Sequence, residues 1–253
     1  MVHPPASAAP SVYVRDVCLE FGGARLFDRL NFVLEGGLWT CLLGASGIGK
    51  TSLLRLIAGL AARDMQGHIE ASDGRLLAGR VAYMAKQDLL LPWLSVGDNV
   101  ALGDRLRGTA SRAARKRANE LLERVGLGRH ASQLPATLSG GMRQRAALAR
   151  TLMEDRPVIL MDEPFSGLDA ITRLRVQDMA AELLAGRTVL LVSHDPLEAL
   201  RLSHRVHVMA GRPARLGPAL EPAGPPARDV TNPDLLAHQG DLLAQLARPG
   251  GPL

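Results

Sequence analysis

Aromatic side chains are nearly absent from this chain: Phe, Trp and Tyr together make up 3% of its 253 residues. Any core must be packed by aliphatic side chains, which a hydrophobic content of 47% supplies in quantity. Cysteine is as scarce. Cys18 and Cys41 lie in apolar, strand-like runs and read as buried thiols of a reducing compartment, not as a disulfide framework. No apolar run approaches the roughly 20 residues that cross a bilayer. The N-terminal MVHPPASAAP has neither a basic n-region nor an apolar h-region, so it is not a secretory signal. These absences point to a soluble, cytoplasmic protein whose membrane contact runs through a partner. Internal repeats are lacking too. The net charge of +5 suits an anionic partner without demanding one.

What is present is an alternation of strands and helices. Residues 11–21 alternate and are rich in β-branched side chains, which predicts a strand. LNFVLEGG and LWTCLLG predict two more, the second running into a glycine loop. Residues 51–60 carry apolar positions at helical spacing and end at glycine. RVAYMA (80–85) predicts another strand, and residues 95–155 are largely helical with rising charge density. PVILMDEP (157–164) is an uninterrupted apolar run ending in acids, as in a strand buried on both faces. RTVLLVSHD (187–195) repeats that design, and RVHVMA (205–210) is the last strand. Such alternation implies a mainly parallel sheet with ligands at the carboxyl ends of its strands. From Arg212 onward Pro and Gly become dense, and residues 232–247 predict one short amphipathic helix.

Four stretches carry chemistry. GASGIGKT, Gly44 to Thr51, fits G-x-x-x-x-G-K-[ST] between a strand and a helix. Gly44, Gly47 and Gly49 let backbone wrap phosphate oxygens, Lys50 supplies a compact charge, and Thr51 offers a hydroxyl to Mg²⁺. Only three lysines occur, Lys50, Lys86 and Lys116, against 27 arginines. A lysine here suits chemistry that needs a point charge and not a planar fork. Asp162 ends a buried strand, where a carboxylate reaches Mg²⁺ directly or through water. Glu163 follows and is the candidate to polarise an attacking water; the plain alternative is a pair of acids capping a strand. His194 ends the next buried strand on the same sheet edge, where a neutral imidazole can hydrogen-bond a γ-phosphate; a structural histidine is the alternative. LSGGMRQR, Leu138 to Arg145, places a serine and two glycines before a helix, which is a second anion-binding helix N-terminus.

With GASGIGKT, LSGGMRQR, VILMDEP, SGLD and VSHD in order over residues 11–210, the chain resembles the ATP-binding cassette (ABC) ATPases, the nucleotide-binding subunits of ABC transporters. The resemblance implies an α/β fold: a P-loop NTPase core with a RecA-like mixed, mainly parallel sheet, an N-terminal antiparallel β part and an inserted α-helical lobe. It divides the chain into a flexible N-terminus (1–10), an ATPase domain (11–211, lobe about 95–155) and a tail (212–253). It implies ATP and Mg²⁺ as cofactors and a head-to-tail dimer of two copies. Each ATP then lies between the glycine loop of one copy (Gly44, Ala45, Ser46, Gly47, Ile48, Gly49, Lys50, Thr51, Ser52) and Ser139, Gly140 and Gly141 of the other. Asp169 resembles the residue that helps couple the two sites. Phe21 sits where the family places a ring against adenine, with core packing as its alternative. The resemblance also assigns catalysis to Glu163, His194 and a glutamine, and the metal to Thr51, Asp162 and that glutamine.

The glutamine position is a departure. The segment reads AYMAKQDLLLPW, and alignment on Tyr83 and on Pro92-Trp93 puts Lys86 in the glutamine's place, with Gln87 one residue late. A one-residue slip in an extended segment turns the side chain to the other face. Either the backbone shifts so that Gln87 serves, which is the reading adopted here because loops absorb such slips, or Lys86 occupies the site.

LLLPWLSVGDNV (89–100) resembles the importers for nitrate, taurine, aliphatic sulfonates and thiamine pyrimidine precursors. That implies a peripheral subunit on the cytoplasmic face of the inner membrane, bound to integral permease subunits and served indirectly by a solute-binding protein. The basic residues of 104–126 read as a solvated helix face, or as a surface near anionic headgroups. The rival function is a soluble ABC ATPase of DNA repair or cofactor assembly. The absence of sustained heptads between Gly44 and Leu138 and the presence of LPW and DNV speak against it, and no nucleic acid is expected.

Overall fold

The computed structural model describes residues 9–61 and 65–247. The chain forms two compact units: one from residues up to Val81 with 157–162 and 185 onward, the other from 82–156 and 163–184.

In the first unit, β1 (Val12–Phe21) pairs antiparallel with β2 (Ala24–Leu34) on one edge and with β4 (Met65–Ala71) on the other. This is the antiparallel part that the resemblance implied. β2 begins well before LNFVLEGG, and β4 had no clear signal. Met65, Gly67, Ile69 and Ala71 form its more buried face and alternate with exposed Gln66, His68 and Glu70, a period-two pattern that is short and weakened by Gly67.

The second sheet of this unit runs β6 (Val158–Asp162), β7 (Thr188–Ser193), β3 (Trp39–Leu43), β8 (Arg205–Ala210), all parallel, with β9 (Arg215–Leu216) antiparallel on β8. Every residue of β3, β6 and β7 is buried, which is why these strands read as continuous apolar runs. Parallel pairing aligns their ends: Leu43 faces Ser193, and Asp162 faces Val192. α1 (Lys50–Ile57) follows β3 after the loop 44–49, and α7 (Pro196–Leu202) starts just beyond β7. Burial pushes the Cys41 thiol up, with the Glu198 charge adding to it, as an inert core cysteine requires. Pro10 is anchored, its carbonyl accepting the Thr188 hydroxyl at 2.8 Å; the remainder of the expected flexible N-terminus, residues 1–8, lies outside the described residues.

The tail belongs to this unit. α8 (Pro233–Ala247) packs on α7 through buried Leu235 and Leu242. Ahead of it, Arg228 is buried and its guanidinium donates to the carbonyls of Leu200 (2.9 Å), Ser203 (2.9 Å), Pro222 (2.8 Å), Ala223 (2.7 Å) and Gly224 (2.5 Å). One planar fork thus satisfies the carboxyl end of α7 and the Pro/Gly-rich turn together.

The second unit is mainly helical: α2 (Val96–Val100), α3 (Leu102–Leu106), α4 (Arg112–Arg124), α5 (Gly140–Met153) and α6 (Ala170–Leu183). β5 (Val81–Met84) lies where the chain passes from one unit into the other. Ser95 caps α2 by accepting the Asp98 N–H at 3.0 Å, and buried Asn99 ties down the preceding loop. Its Oδ1 accepts the Leu91 N–H at 2.7 Å, and its Nδ2 donates to the carbonyls of Leu91 (3.0 Å), Leu94 (3.1 Å) and Ser95 (3.0 Å).

Two outcomes are expected for the first unit. Arg228→Met, which keeps bulk but strands buried carbonyls, should destabilise it by about 3–5 kcal/mol, read by urea unfolding with the buried Trp39 as fluorophore. The Trp39 backbone N–H donates to His204 Nδ1 at 3.0 Å, and burial, reinforced by Arg228, holds the pKa of His204 below its ordinary 6.5. With the folded value below the unfolded one, the unfolded chain takes up the proton first, so stability is lost as pH falls through 6.5. The melting temperature should drop between about pH 7.5 and about pH 5.5, and the drop should shrink in His204→Gln, which accepts without titrating.

Candidate nucleotide-binding and hydrolysis site

In the first unit the glycine loop leaves β3 and enters α1. Gly44 has φ 157°, and a Cβ there would lie 2.5 Å from the Met209 carbonyl oxygen. Gly49 has φ 113°, and its Cβ would press the Phe27 ring at 3.1 Å. Both positions need glycine for room as well as for backbone angle. Ala45, Ser46 and Gly47 are exposed; Ile48, Gly49, Thr51 and Ser52 are half-buried. α1 begins without a side-chain cap and without an acid in its first turn, so its N–H groups and dipole end are left for an anion. Lys50 is buried and folds back over the loop, Nζ donating to the carbonyls of Gly44 (2.6 Å) and Ala45 (2.9 Å).

Thr51 Oγ1 donates to Asp162 Oδ2 at 2.8 Å, joining the first turn of α1 to the end of β6. This pair is an all-oxygen donor set, hydroxyl and carboxylate, of the type a hard divalent cation takes when phosphates supply its other ligands. The residues therefore fit Mg²⁺ with a nucleotide. His194 is exposed directly beyond the end of β7, on the same sheet edge as Gly44 and Asp162. Asp195 next to it caps α7, accepting the Leu197 N–H at 2.9 Å. The Phe21 side chain lies outside the described residues.

In the second unit Ser139 caps α5, its Oγ accepting the Met142 N–H at 3.3 Å. Ser139 and Gly140 are exposed and Gly141 half-buried, and the first turn of α5 has no acid. This is a second exposed, acid-free helix N-terminus in the same chain, its Met142 N–H taken by the Ser139 cap. Asp169 caps α6, accepting the Thr172 N–H at 3.0 Å; hydrogen bonds from Thr172, the backbone one first, hold its carboxyl below the usual range.

Glu163 is buried and takes a left-handed backbone angle, φ 49°. Its carboxylate pairs with Lys86, Nζ to Oε2 at 2.9 Å. Gln87, the residue read from the sequence as the functional one, is exposed; Lys86 is the residue that faces the acid. The segment did not shift register to bring the glutamine inward.

Sequence reasoning missed the side chains that hold this arrangement. Arg143 Nε donates to Asp88 Oδ2 at 3.0 Å, and Arg150 donates to the carbonyls of Asp88 (2.6 Å) and Leu89 (2.8 Å). Buried Gln144 donates to the Pro164 carbonyl at 3.1 Å. Arg143 and Gln144 lie within LSGGMRQR, and the signal was their place one turn into a helix whose start is exposed.

A family model described as ABC transporter matches residues 27–166. An uncharacterised ABC transporter ATP-binding protein of Haemophilus influenzae is 43% identical over 241 residues, 93% of this chain and 98% of the relative. The aliphatic sulfonates import ATP-binding protein SsuB 2 of Pseudomonas syringae pv. tomato is 39% identical over 228 residues, 89% of this chain and 94% of the relative. Among solved structures, a dimeric ATP-binding cassette in a post-hydrolysis state with ADP and phosphate superposes with a TM-score of 0.74 at 27% identity, covering 84% of this chain and 99% of that one.

Thr51→Val removes the hydroxyl from the oxygen pair and leaves the loop intact. In a nucleotide titration the gain in ATP affinity on adding Mg²⁺ should fall about tenfold or more, with Mg²⁺-free binding little changed.

Proposed function

The chain belongs to the ABC transporter family, and from that premise we propose that it is the ATP-hydrolysing subunit of an importer. It works as a head-to-tail dimer beneath a membrane permease and serves a small polar solute of the aliphatic sulfonate, taurine, nitrate or thiamine-precursor kind. One observation carries the reading: a single chain presents two acid-free helix N-termini, one uncapped at Gly49–Lys50 and one exposed at Ser139–Gly140, each of a kind suited to phosphate. In a head-to-tail pair the two are complementary halves of one pocket, so neither copy completes a site alone. The dimeric cassette with ADP and phosphate and the sulfonate-importer relative support this assignment.

The chemistry follows from the residues. The loop N–H groups and Lys50 hold the β- and γ-phosphates, and Lys50 exchanges its carbonyl partners for phosphate oxygens. Thr51 and Asp162 are the protein's ligands for Mg²⁺, which when bound neutralises phosphate charge. Glu163 accepts a proton from the attacking water as its oxygen bonds the γ-phosphorus and the bond to the bridging oxygen breaks. His194 hydrogen-bonds the γ-phosphate and orients that water, and Asp169 helps couple the two sites. Phe21 stacks on adenine, giving affinity with little base discrimination.

Among the described residues no helix is long and apolar enough to cross a membrane, and passage of the solute is assigned to the permease. The surface offered to it includes Leu89, Trp93 and Leu134, three large apolar side chains that are 57%, 71% and 46% exposed. A solute-binding protein delivers cargo on the far side, and the chain sits on the cytoplasmic face of the inner membrane.

Glu163→Gln tests the assignment. ATP should still bind, turnover should fall about 10²-fold or more, and ATP should trap a dimer visible by size-exclusion chromatography. Turnover at the parent rate would sink the general-base role, and specific activity that is indifferent to dilution into monomers would sink the shared pocket.

A further inference from the structure

Lys86 stands where the resemblance expects a glutamine, and its ammonium is 2.9 Å from the Glu163 carboxylate. An ion pair with an exposed lysine contributes little to stability by itself, and the lysine here is 59% exposed. The acid is not: its side chain is 10% exposed, and its backbone is held in a conformation that non-glycine residues seldom adopt. A buried carboxylate on such a backbone takes its orientation from whatever bonds it.

Both ends of the pair are fixed by one helix. α5 reaches the Lys86 segment through Arg143, bound to the Asp88 carboxylate, and through Arg150, bound to the Asp88 and Leu89 carbonyls. It reaches the Glu163 segment through Gln144, bound to the Pro164 carbonyl. Leu89 is itself held at φ 47°, so the 86–89 stretch is a specified conformation and not a slack loop. The charge-assisted bonds of Arg143 and Arg150 are the stronger kind.

We propose that Lys86 is a positioning residue for Glu163: its ammonium fixes the carboxylate in the orientation from which the acid takes the proton of the attacking water, and α5 sets both partners. This rests on the reading of Glu163 as general base. It replaces the neutral amide expected at this point by a cation, and it assigns the role to Lys86 in place of Gln87.

The chain's three lysines make the pair directly observable. Reductive methylation with ¹³C-formaldehyde gives one dimethyl-lysine signal for each, and Lys86→Arg identifies the Lys86 signal by its loss. Glu163→Gln should move the Lys86 signal and leave in place that of Lys116, which sits on exposed α4 beside Glu120. A Lys86 signal indifferent to Glu163→Gln would overturn the pairing. In turnover, Lys86→Met is expected to lower kcat about tenfold or more with KM for ATP within about twofold of the parent. Lys86→Arg should restore most of kcat, and Lys86→Met should fall further than Gln87→Ala. In the Glu163→Gln background Lys86→Met should cost nothing more, because both act through one group. An unchanged kcat in Lys86→Met, or a loss confined to KM, would overturn the positioning role while Glu163→Gln still traps its dimer. Normal turnover in Glu163→Gln would instead remove the base assignment on which the proposal stands.

Discussion

Parallel register in the first unit is the constraint from which the phosphate-handling chemistry follows. β3, β6 and β7 are buried along their whole length, so none can slip without displacing packed side chains. Their common direction brings the chain out at one edge three times. The first exit becomes the glycine loop, the second delivers Asp162, and the third delivers His194. The Thr51–Asp162 hydrogen bond then ties the helix of the first exit to the strand of the second. The candidate phosphate cradle and metal ligands are thus placed by a mainly aliphatic core, with Lys50 and Asp162 as buried polar groups at its edge.

The second unit solves a different problem with one helix. α5 exposes Ser139 and Gly140 at its start, where N–H groups face outward, and spends its next turns holding other segments. Arg143, Gln144 and Arg150 reach Asp88, Pro164 and Leu89. Arginine suits this work because a planar fork bonds two carbonyls at once and stays charged when partly buried. Leu89 and Trp93, the exposed apolar residues assigned to the permease, lie in the same stretch as Lys86. On the proposed reading, a push on that stretch would bear on the partner of Glu163, a short physical route from a permease contact to the candidate base.

Arg228 plays the corresponding part in the first unit. Its carbonyl cage holds the Pro/Gly-rich turn against the end of α7, and α8 then covers α7 with Leu235 and Leu242. The described part of the tail, up to Ala247, contributes to this core, and a lone buried guanidinium is tolerated because every donor direction meets a carbonyl.

Much of this was legible in the sequence because it rests on local rules. Continuous apolar runs marked β3, β6 and β7; glycine spacing and the lysine at 50 marked the cradle; serine and two glycines marked the start of α5. Each depends on residues within a few positions of one another, which is the range over which hydrophobic period and backbone preference act. What the sequence left undecided depends on partners far apart in the chain. β4 has a short, half-buried face broken by Gly67, and its pairing partner β1 lies far back in the chain. Whether Lys86 or Gln87 meets Glu163, seventy-odd residues later, depends on the backbone of the 86–89 segment, which arginines on α5 hold. Short-range pattern determined where the chemistry would be built; long-range hydrogen bonds and charge decided which side chains reached it.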